Sequence, residues 1–559
     1  MKKITFFVLV ASVLTACNSN SKKDYETIIR NGNIYDGNGG APYLADIAIN
    51  ADTIAFIGDL ANVSANNEID AKGKAIAPGF INMLSWANEA LIKDGNSQSD
   101  IRQGVTLEVM GEGTSMGPLN ANMKTELQNG QIDIKYKVDW NTLGEYLNFL
   151  EKKGVACNVA SFIGAGTVRE YVVGKDNRRA TAAELDSMGI LVEHAMKEGA
   201  MGIGSSLIYP PDNFANTNEL ISICKVASKY GGMYISHMRS EGNKLNEAVE
   251  ELLTIAKEAN IPAEIYHLKA AGKNNWGKMD AAIKQIETAR AAGLHVTANM
   301  YTYLAGATGL TASFPPTLQD GGFDKLWHRL QDPAMRAKMK IAMNTDAKDW
   351  ENLYYGAGSP EKVLLLAFKQ DSLKKYTGKT LAEVAKIRGT PPEETAMDLI
   401  VQDSTRVGVA FFLMNENNVK KQIALPWVSF GSDEGSYLPQ GVFLKSNPHP
   451  RAYGNFVRVI GPYVRDEKLM TLPQAIYKLA KLPATNLKLQ KRGELKVGNY
   501  ADIVVFDAAT VTDHATFDKP HQFATGVEHV FVNGTQVLKN GETTNAKPGR
   551  FIKGPGYRK

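Results

Sequence analysis

"GMYISHMRSEGNKLNEAVEELLTIAKEANIPAEIYHLK" (residues 232–269) decides the fold. It opens with a short apolar run, GMYISHM, of the length and composition of a buried strand. Apolar residues then recur at helical spacing through KLNEAVEELLTIAKEAN, which stops at an asparagine. A second apolar run, PAEIYHLK, follows at once. Strand, helix, strand in this rhythm is a unit of a parallel sheet, and both strands close on a histidine, His237 and His267.

The same texture spreads in both directions. Further apolar strands are "TLEVMGEG" (106–113), "VACNVASFIG" (155–164), "AMGIGSSL" (200–207), "HVTANMY" (295–301) and "ALPWVSFGSD" (424–433), with amphipathic stretches such as "KMDAAIKQIETARAAG" among them. Seven or eight such units favour a closed α/β architecture, a (β/α)8 TIM-like barrel, over an open sheet. The barrel is expected across residues 77–489. Residues 315–405, Pro-rich and charged, break the alternation and read as a helical insertion over its mouth. Residues 25–76 and 490–545 are different, with short strands punctuated by Asn-Gly and Asp-Gly turns. They are expected to form one small β-sandwich built from both termini, leaving 546–559 as a C-terminal tail.

The composition is that of a soluble globular chain, 44% hydrophobic and 22% charged over 559 residues. A net charge of +4 with no run of Lys and Arg gives no support for a nucleic-acid partner. "MKKITFFVLVASVLTAC" (1–17) has two lysines, an apolar core too short for a membrane span and small residues before Cys17. "LTAC" is similar to the lipobox of bacterial lipoproteins, and the polar stretch at 18–24 suits a tether. The expectation is a lipoprotein signal peptide and a protein held in the bacterial cell envelope only by a lipid on Cys17. Cys157 and Cys224 lie in apolar segments and read as buried thiols rather than a disulfide.

In a parallel barrel, chemistry gathers at the C-terminal ends of the strands. Those ends carry Glu112, His237, His267, Asn299 and Asp433. Two imidazoles and a carboxylate suit zinc with a fourth position left for water, and a further carboxylate, Asp433, can move protons between that water and a leaving amine. Glu112 has a second reading, as the ion-pair partner of Lys269 or Arg239.

"PGFI" (78–81), "SHMRSEG" (236–242), "YHLKAAG" (266–272), "FGSDEG" (430–435), "HPRAYGNFVRVIGPYVRDE" (449–467) and "RGELKVGNYADIVVFD" (492–507) resemble the N-acyl-D-amino-acid deacylase (D-aminoacylase) branch of the amidohydrolase superfamily. The resemblance runs from about residue 25 to the end. It implies a distorted barrel with a β-sandwich from both termini and zinc-dependent hydrolysis of the amide bond of N-acyl-D-amino acids or related small molecules. It also implies His237 and His267 as metal ligands, Asp433 as acid/base, Tyr209 and Lys269 on the substrate carboxylate, and Arg451 near the substrate beside His449.

Two departures stand out. Leu84-Ser85-Trp86 replaces the family's His-x-His, with Asn82 in place of an Asp; and "GEG" (111–113) replaces the segment that carries a cysteine ligand. Gly113 aligns with that cysteine, and Glu112 stands one residue before it. The reading is therefore one zinc per chain, held by Glu112, His237 and His267, with Trp86 in the space of a lost second site. A hydantoinase-like enzyme would need a strand-end lysine, which "VASFIGAG" does not offer. The non-enzymatic alternative is a degenerate barrel that binds carboxylate-bearing ligands at the cell surface.

Overall fold

The computed structural model describes residues 23–558. Eight strands run in parallel around one ring: β1 (Phe80–Asn82), β2 (Val105–Met110), β3 (Asn158–Ser161, resuming at Ile163–Gly164), β4 (Gly202–Ser206), β5 (Met233–His237), β6 (Ala263–Ile265), β7 (Val296–Met300) and β8 (Val428–Phe430). The two ends of the series meet. The Met83 N–H donates to the Phe430 carbonyl at 3.2 Å, and the Asp433 N–H to the Leu84 carbonyl at 2.8 Å. The (β/α) barrel read from the sequence is the fold.

Strand alternation sorts the side chains. Ile235 points into the ring with Ile81, Leu84, Leu107, Phe162 and Tyr266, while its neighbour Tyr234 faces the helices. The crossover helix Leu245–Glu258 lays Leu245, Val249, Leu252 and Ile255 on that outer face. Helix Ala182–Glu198 shows why such segments start and stop where they do. Thr181 and Glu184 form a capping box at its beginning, and Gly199 at φ 112° ends it in the left-handed region.

Both ends of the chain contribute to one nine-stranded sheet. Ala75–Pro78 joins them, pairing in parallel with Tyr25–Ile34 and antiparallel with Ile503–Phe506. Ile29, Ile34, Ile47, Ile54, Ile76, Ile503 and Phe531 form its core. After β7 the chain leaves the ring for an antiparallel sheet of Ala305–Gly309, Val363–Ala367 and Gly408–Phe412, which has its own apolar core. The insertion thus reaches past 315–405 on both sides. Its first strand, AGATG, is made of small residues that carry little strand signal.

The described part of the tail expected at 546–559, which ends at residue 558, is integrated as well. It runs beside the start of β3, with the Val159 N–H on the Arg550 carbonyl and the Ile552 N–H on the Val159 carbonyl, both at 2.9 Å. Cys157 and Cys224 are buried free thiols. Among the described residues no helix is long and apolar enough to cross a membrane. The leader and Cys17 lie outside the described residues, as does the tether up to residue 22.

Leu84, fully buried inside the ring, belongs to the barrel core. Leu84→Ala should cost about 2–5 kcal/mol. Urea unfolding checks this, and an unchanged midpoint would mean the ring interior closes over the lost side chain.

Candidate metal centre

Glu112, His237 and His267 meet at the C-terminal mouth of the ring, all buried. Glu112 Oε1 lies 2.7 Å from His267 Nε2 and 3.1 Å from His237 Nδ1, and the two ring nitrogens are 3.0 Å apart. Three lone-pair donors facing one another at this spacing are arranged as ligands. Tetrahedral zinc with bonds of about 2.0–2.2 Å would hold them only slightly farther apart, at roughly 3.3–3.6 Å. The donor set and its convergence fit the metal.

The backbone explains why the carboxylate is at 112. Gly111 and Gly113 flank it at φ 105° and 66°. A Cβ on Gly113 would sit 1.9 Å from the Ser206 hydroxyl, so no side chain fits there as the chain now runs. His237 is the last residue of β5. His267 lies just past β6 at φ 31°, its N–H held by the Asn299 side-chain oxygen at 2.9 Å. Asn299 gives its other end to Glu264, also at 2.9 Å, so it braces the His267 backbone from the strand end.

Neither base proposed as a rival partner of Glu112 is free for it. Arg239 pairs with Glu251 at 2.8 Å, and Lys269 with Glu241 at 2.6 Å. Sequence reasoning missed Glu241. Its Oε1 is 2.9 Å from His267 Nδ1 and its Oε2 3.6 Å from His237 Nε2, the nitrogens opposite those that face Glu112. A carboxylate behind metal-binding imidazoles fixes their orientation and tautomer. The available signal was the His-to-Glu spacing within "SHMRSEG".

Charge is tightly matched here. Burial pushes the Glu112 carboxyl up, but the His267 charge and hydrogen bonds from both imidazoles hold it well below the carboxylate range. Burial acts likewise on Glu241, where His237, Lys269 and His267 outweigh it. His267 itself is raised to about 9: burial and Lys269 lower it, and Glu241 and Glu112 more than reverse them.

Asp433 follows β8 at φ 52°. Arg451, fully buried, places Nη1 2.8 Å from Asp433 Oδ2, donates Nη2 to the Asp433 carbonyl at 2.6 Å, and packs 4.3 Å over the Tyr301 ring. The Arg451 guanidinium, expected near the substrate, is bound to Asp433. Burial raises the Asp433 carboxyl, Arg451 opposes the rise, and the charge of Glu112 adds to it. His449 accepts the Arg451 N–H at 3.1 Å, and burial keeps it neutral, well below the ordinary histidine value. The Tyr209 ring lies 5.3 Å from that of His237, with the Arg406 guanidinium 5.1 Å above it. The Trp86 indole N–H donates to both Glu112 Oε2 and Asp433 Oδ1 at 3.1 Å.

A cleft between the barrel loops and the insertion lies behind Glu241, lined by Gly242, Asn275, Trp350, Glu351 and Leu413 and by none of the three cluster residues. Glu351 crosses from the insertion to accept the Glu241 and Gly242 N–H groups at 2.5 and 3.1 Å.

The chain matches the amidohydrolase family over residues 67–538. It is 32% identical to a D-aminoacylase of Alcaligenes xylosoxydans xylosoxydans, covering 96% of this chain and 99% of that one. Among solved structures, an N-acyl-D-glutamate deacylase from Bordetella bronchiseptica, complexed with zinc and a phosphonate mimic of the tetrahedral intermediate, superposes with a TM-score of 0.78 at 27% identity, over 95% of this chain and 99% of that one. A D-aminoacylase whose binuclear metal centre is described by one-metal activation and second-metal attenuation gives 0.77 at 31% identity, over 95% and 100%.

Burial and the neighbouring Glu241 charge raise Glu351 from 4.5 to about 7. The fold therefore favours its protonated form. That contribution is complete below pH 4.5 and is lost as the pH rises through 7. Glu351→Gln, neutral throughout, should gain on the native protein across this window, by at most about 3 kcal/mol, and the difference should level off above it. Thermal unfolding at pH 5, 6, 7 and 8 tests this; parallel curves would refute it.

Proposed function

Because the chain belongs to the amidohydrolase family, we propose that it hydrolyses the amide bond of N-acyl-D-amino acids or related D-amino-acid amides with one zinc per chain. It is a metal-dependent hydrolase of carbon–nitrogen bonds other than peptide bonds. The observation that carries the hydrolytic reading is the convergence of Glu112, His237 and His267 with Asp433 one shared hydrogen-bond donor away, and the substrate class is taken from the relatives.

Zinc held by those three residues would supply the Lewis acidity that activates a water and polarises the acyl carbonyl. The chain's own groups do the rest. Asp433 takes a proton from the attacking water and delivers it to the departing amine, a task helped by the upward push of burial on its carboxyl. Arg451 restrains that push and fixes one carboxylate oxygen, so the acid cannot swing away. Tyr209 and Lys269 each touch one imidazole of the cluster, at 5.3 Å between rings and 2.6 Å from Nζ to His267 Nδ1, so a substrate carboxylate gripped by them is presented to the centre. Support for a single metal comes from Leu84 and Trp86, which cannot ligate one, and from the one-metal activation described for the related D-aminoacylase. In the cell the enzyme is proposed to sit in the bacterial envelope on a lipid at Cys17, on the strength of the "LTAC" motif and the polar residues after it.

Elemental analysis of protein lacking residues 1–17 should find about one zinc per chain. His267→Ala should lose both metal and activity. Asp433→Asn should keep the metal and lose about 10²–10⁴-fold in kcat with N-acyl-D-amino acids; unimpaired turnover in that variant would end its role as proton carrier. Separately, Cys17→Ala should move the full chain from the membrane pellet to the soluble fraction, and pelleting unchanged by the substitution would exclude the anchor.

A further inference from the structure

The four oxygens of Glu112 and Asp433 are all assigned. Glu112 Oε1 faces the imidazoles, at 2.7 and 3.1 Å. Asp433 Oδ2 faces Arg451 at 2.8 Å. The remaining two, Glu112 Oε2 and Asp433 Oδ1, share a single hydrogen, that of the Trp86 indole, each at 3.1 Å. Two carboxylate oxygens turned toward one point repel each other unless something positive stands between them. Here that something is an N–H dipole on a group that can donate and can neither accept nor ligate.

The backbone around it is made for the purpose. The Ser85 N–H bonds the Val109 carbonyl of β2 at 2.8 Å, and the Trp86 N–H bonds the Glu434 carbonyl beside Asp433 at 2.9 Å. Ser85 Oγ anchors to Glu108 at 2.7 Å. Trp86 is thereby stitched to the two elements whose carboxylates it bridges. Trp86 is nevertheless 40% exposed, more than core packing of so large a residue would leave.

We propose that Trp86 is a positioning residue, a built-in substitute for a second cation: its indole N–H ties Glu112 to Asp433, turns Glu112 Oε1 onto the metal position, and keeps the centre to one ion. This rests on the metal-centre reading of Glu112, His237 and His267. It makes Trp86 a determinant of metal number and affinity, separate from any contact with substrate.

The test compares the soluble chain with Trp86→Phe, which keeps an aromatic ring and removes the donor. Zinc affinity by chelator competition and stoichiometry by equilibrium dialysis are the readouts. The native protein should saturate at one equivalent even under excess zinc. Trp86→Phe should hold that zinc about 10- to 100-fold more weakly, the usual consequence of removing a group that orients a ligand, and should take up further zinc under excess. Equal affinity and one equivalent in both proteins would reduce Trp86 to packing and overturn the proposal while leaving the zinc reading intact. No zinc in the native protein would overturn both. If Trp86→Phe does not fold, cobalt titration of native tryptophan fluorescence decides: quenching complete at one equivalent supports the proposal, and a second phase at higher cobalt refutes it.

Discussion

Three acids, buried Glu112 and Glu241 and the largely covered Asp433, lie within one small volume at the mouth of the ring, and the remaining polar groups are arranged around that fact. A carboxylate buried without a partner is costly by several kcal/mol, so each must meet positive charge at contact distance. Lys269 serves Glu241, Arg451 serves Asp433, and the two imidazoles serve Glu112. The same arrangement explains why the Arg451 guanidinium is poorly available elsewhere. Arg451 cannot reach for a substrate without releasing the acid it holds.

Geometry at this precision comes from residues that look at first like losses. His267 and Asp433 both occupy the left-handed backbone region, which costs a non-glycine residue of order 1–3 kcal/mol. Asn299 offsets this at His267 by holding its N–H. Asn82 does the equivalent at the other strand end: its oxygen accepts the Ser432 N–H at 2.8 Å, and its amide donates to Ser432 Oγ at 2.8 Å, immediately before Asp433. Where an acid would bring another negative charge to a crowded mouth, an amide brings both a donor and an acceptor. The two asparagines are braces for the strained residues that follow.

The ring, and the meeting of Glu112, His237, His267 and Asp433 at its mouth, were legible in the sequence because a parallel barrel fixes where its strand ends go, and apolar runs mark the strands. Glu241 was not, since it sits in a loop and reaches back to the imidazoles with no periodicity to announce it. A motif also names a residue without saying which way it faces; "HPR" placed Arg451 at the site but did not show its guanidinium on Asp433. The edges of the insertion escaped for a third reason. Glycine and alanine in 305–309 form a strand through the backbone of their neighbours, so the sequence carries little trace of it. Gly113 is the reverse case, where the residue type alone conceals a collision with Ser206 that only the closed ring creates.

These contacts make a continuous chain: Glu351 of the insertion to the Glu241 backbone, the Glu241 carboxylate to both imidazoles, the imidazoles to Glu112, Glu112 through Trp86 to Asp433, and Asp433 to Arg451. Most of its links join residues far apart in sequence, from separate strand ends and a separate subdomain. No short fragment of the chain can assemble it, and closing the ring sets nearly all of it at once. Occupancy of the metal position is then coupled to closure of the barrel, since an ion that binds only the assembled donors stabilises the state in which β1 and β8 have met. Trp86 and Asp433 lie at that seam, where the Asp433 N–H on the Leu84 carbonyl closes the ring, so the hydrogen bonds between them and Glu112 form only once the last strand has docked.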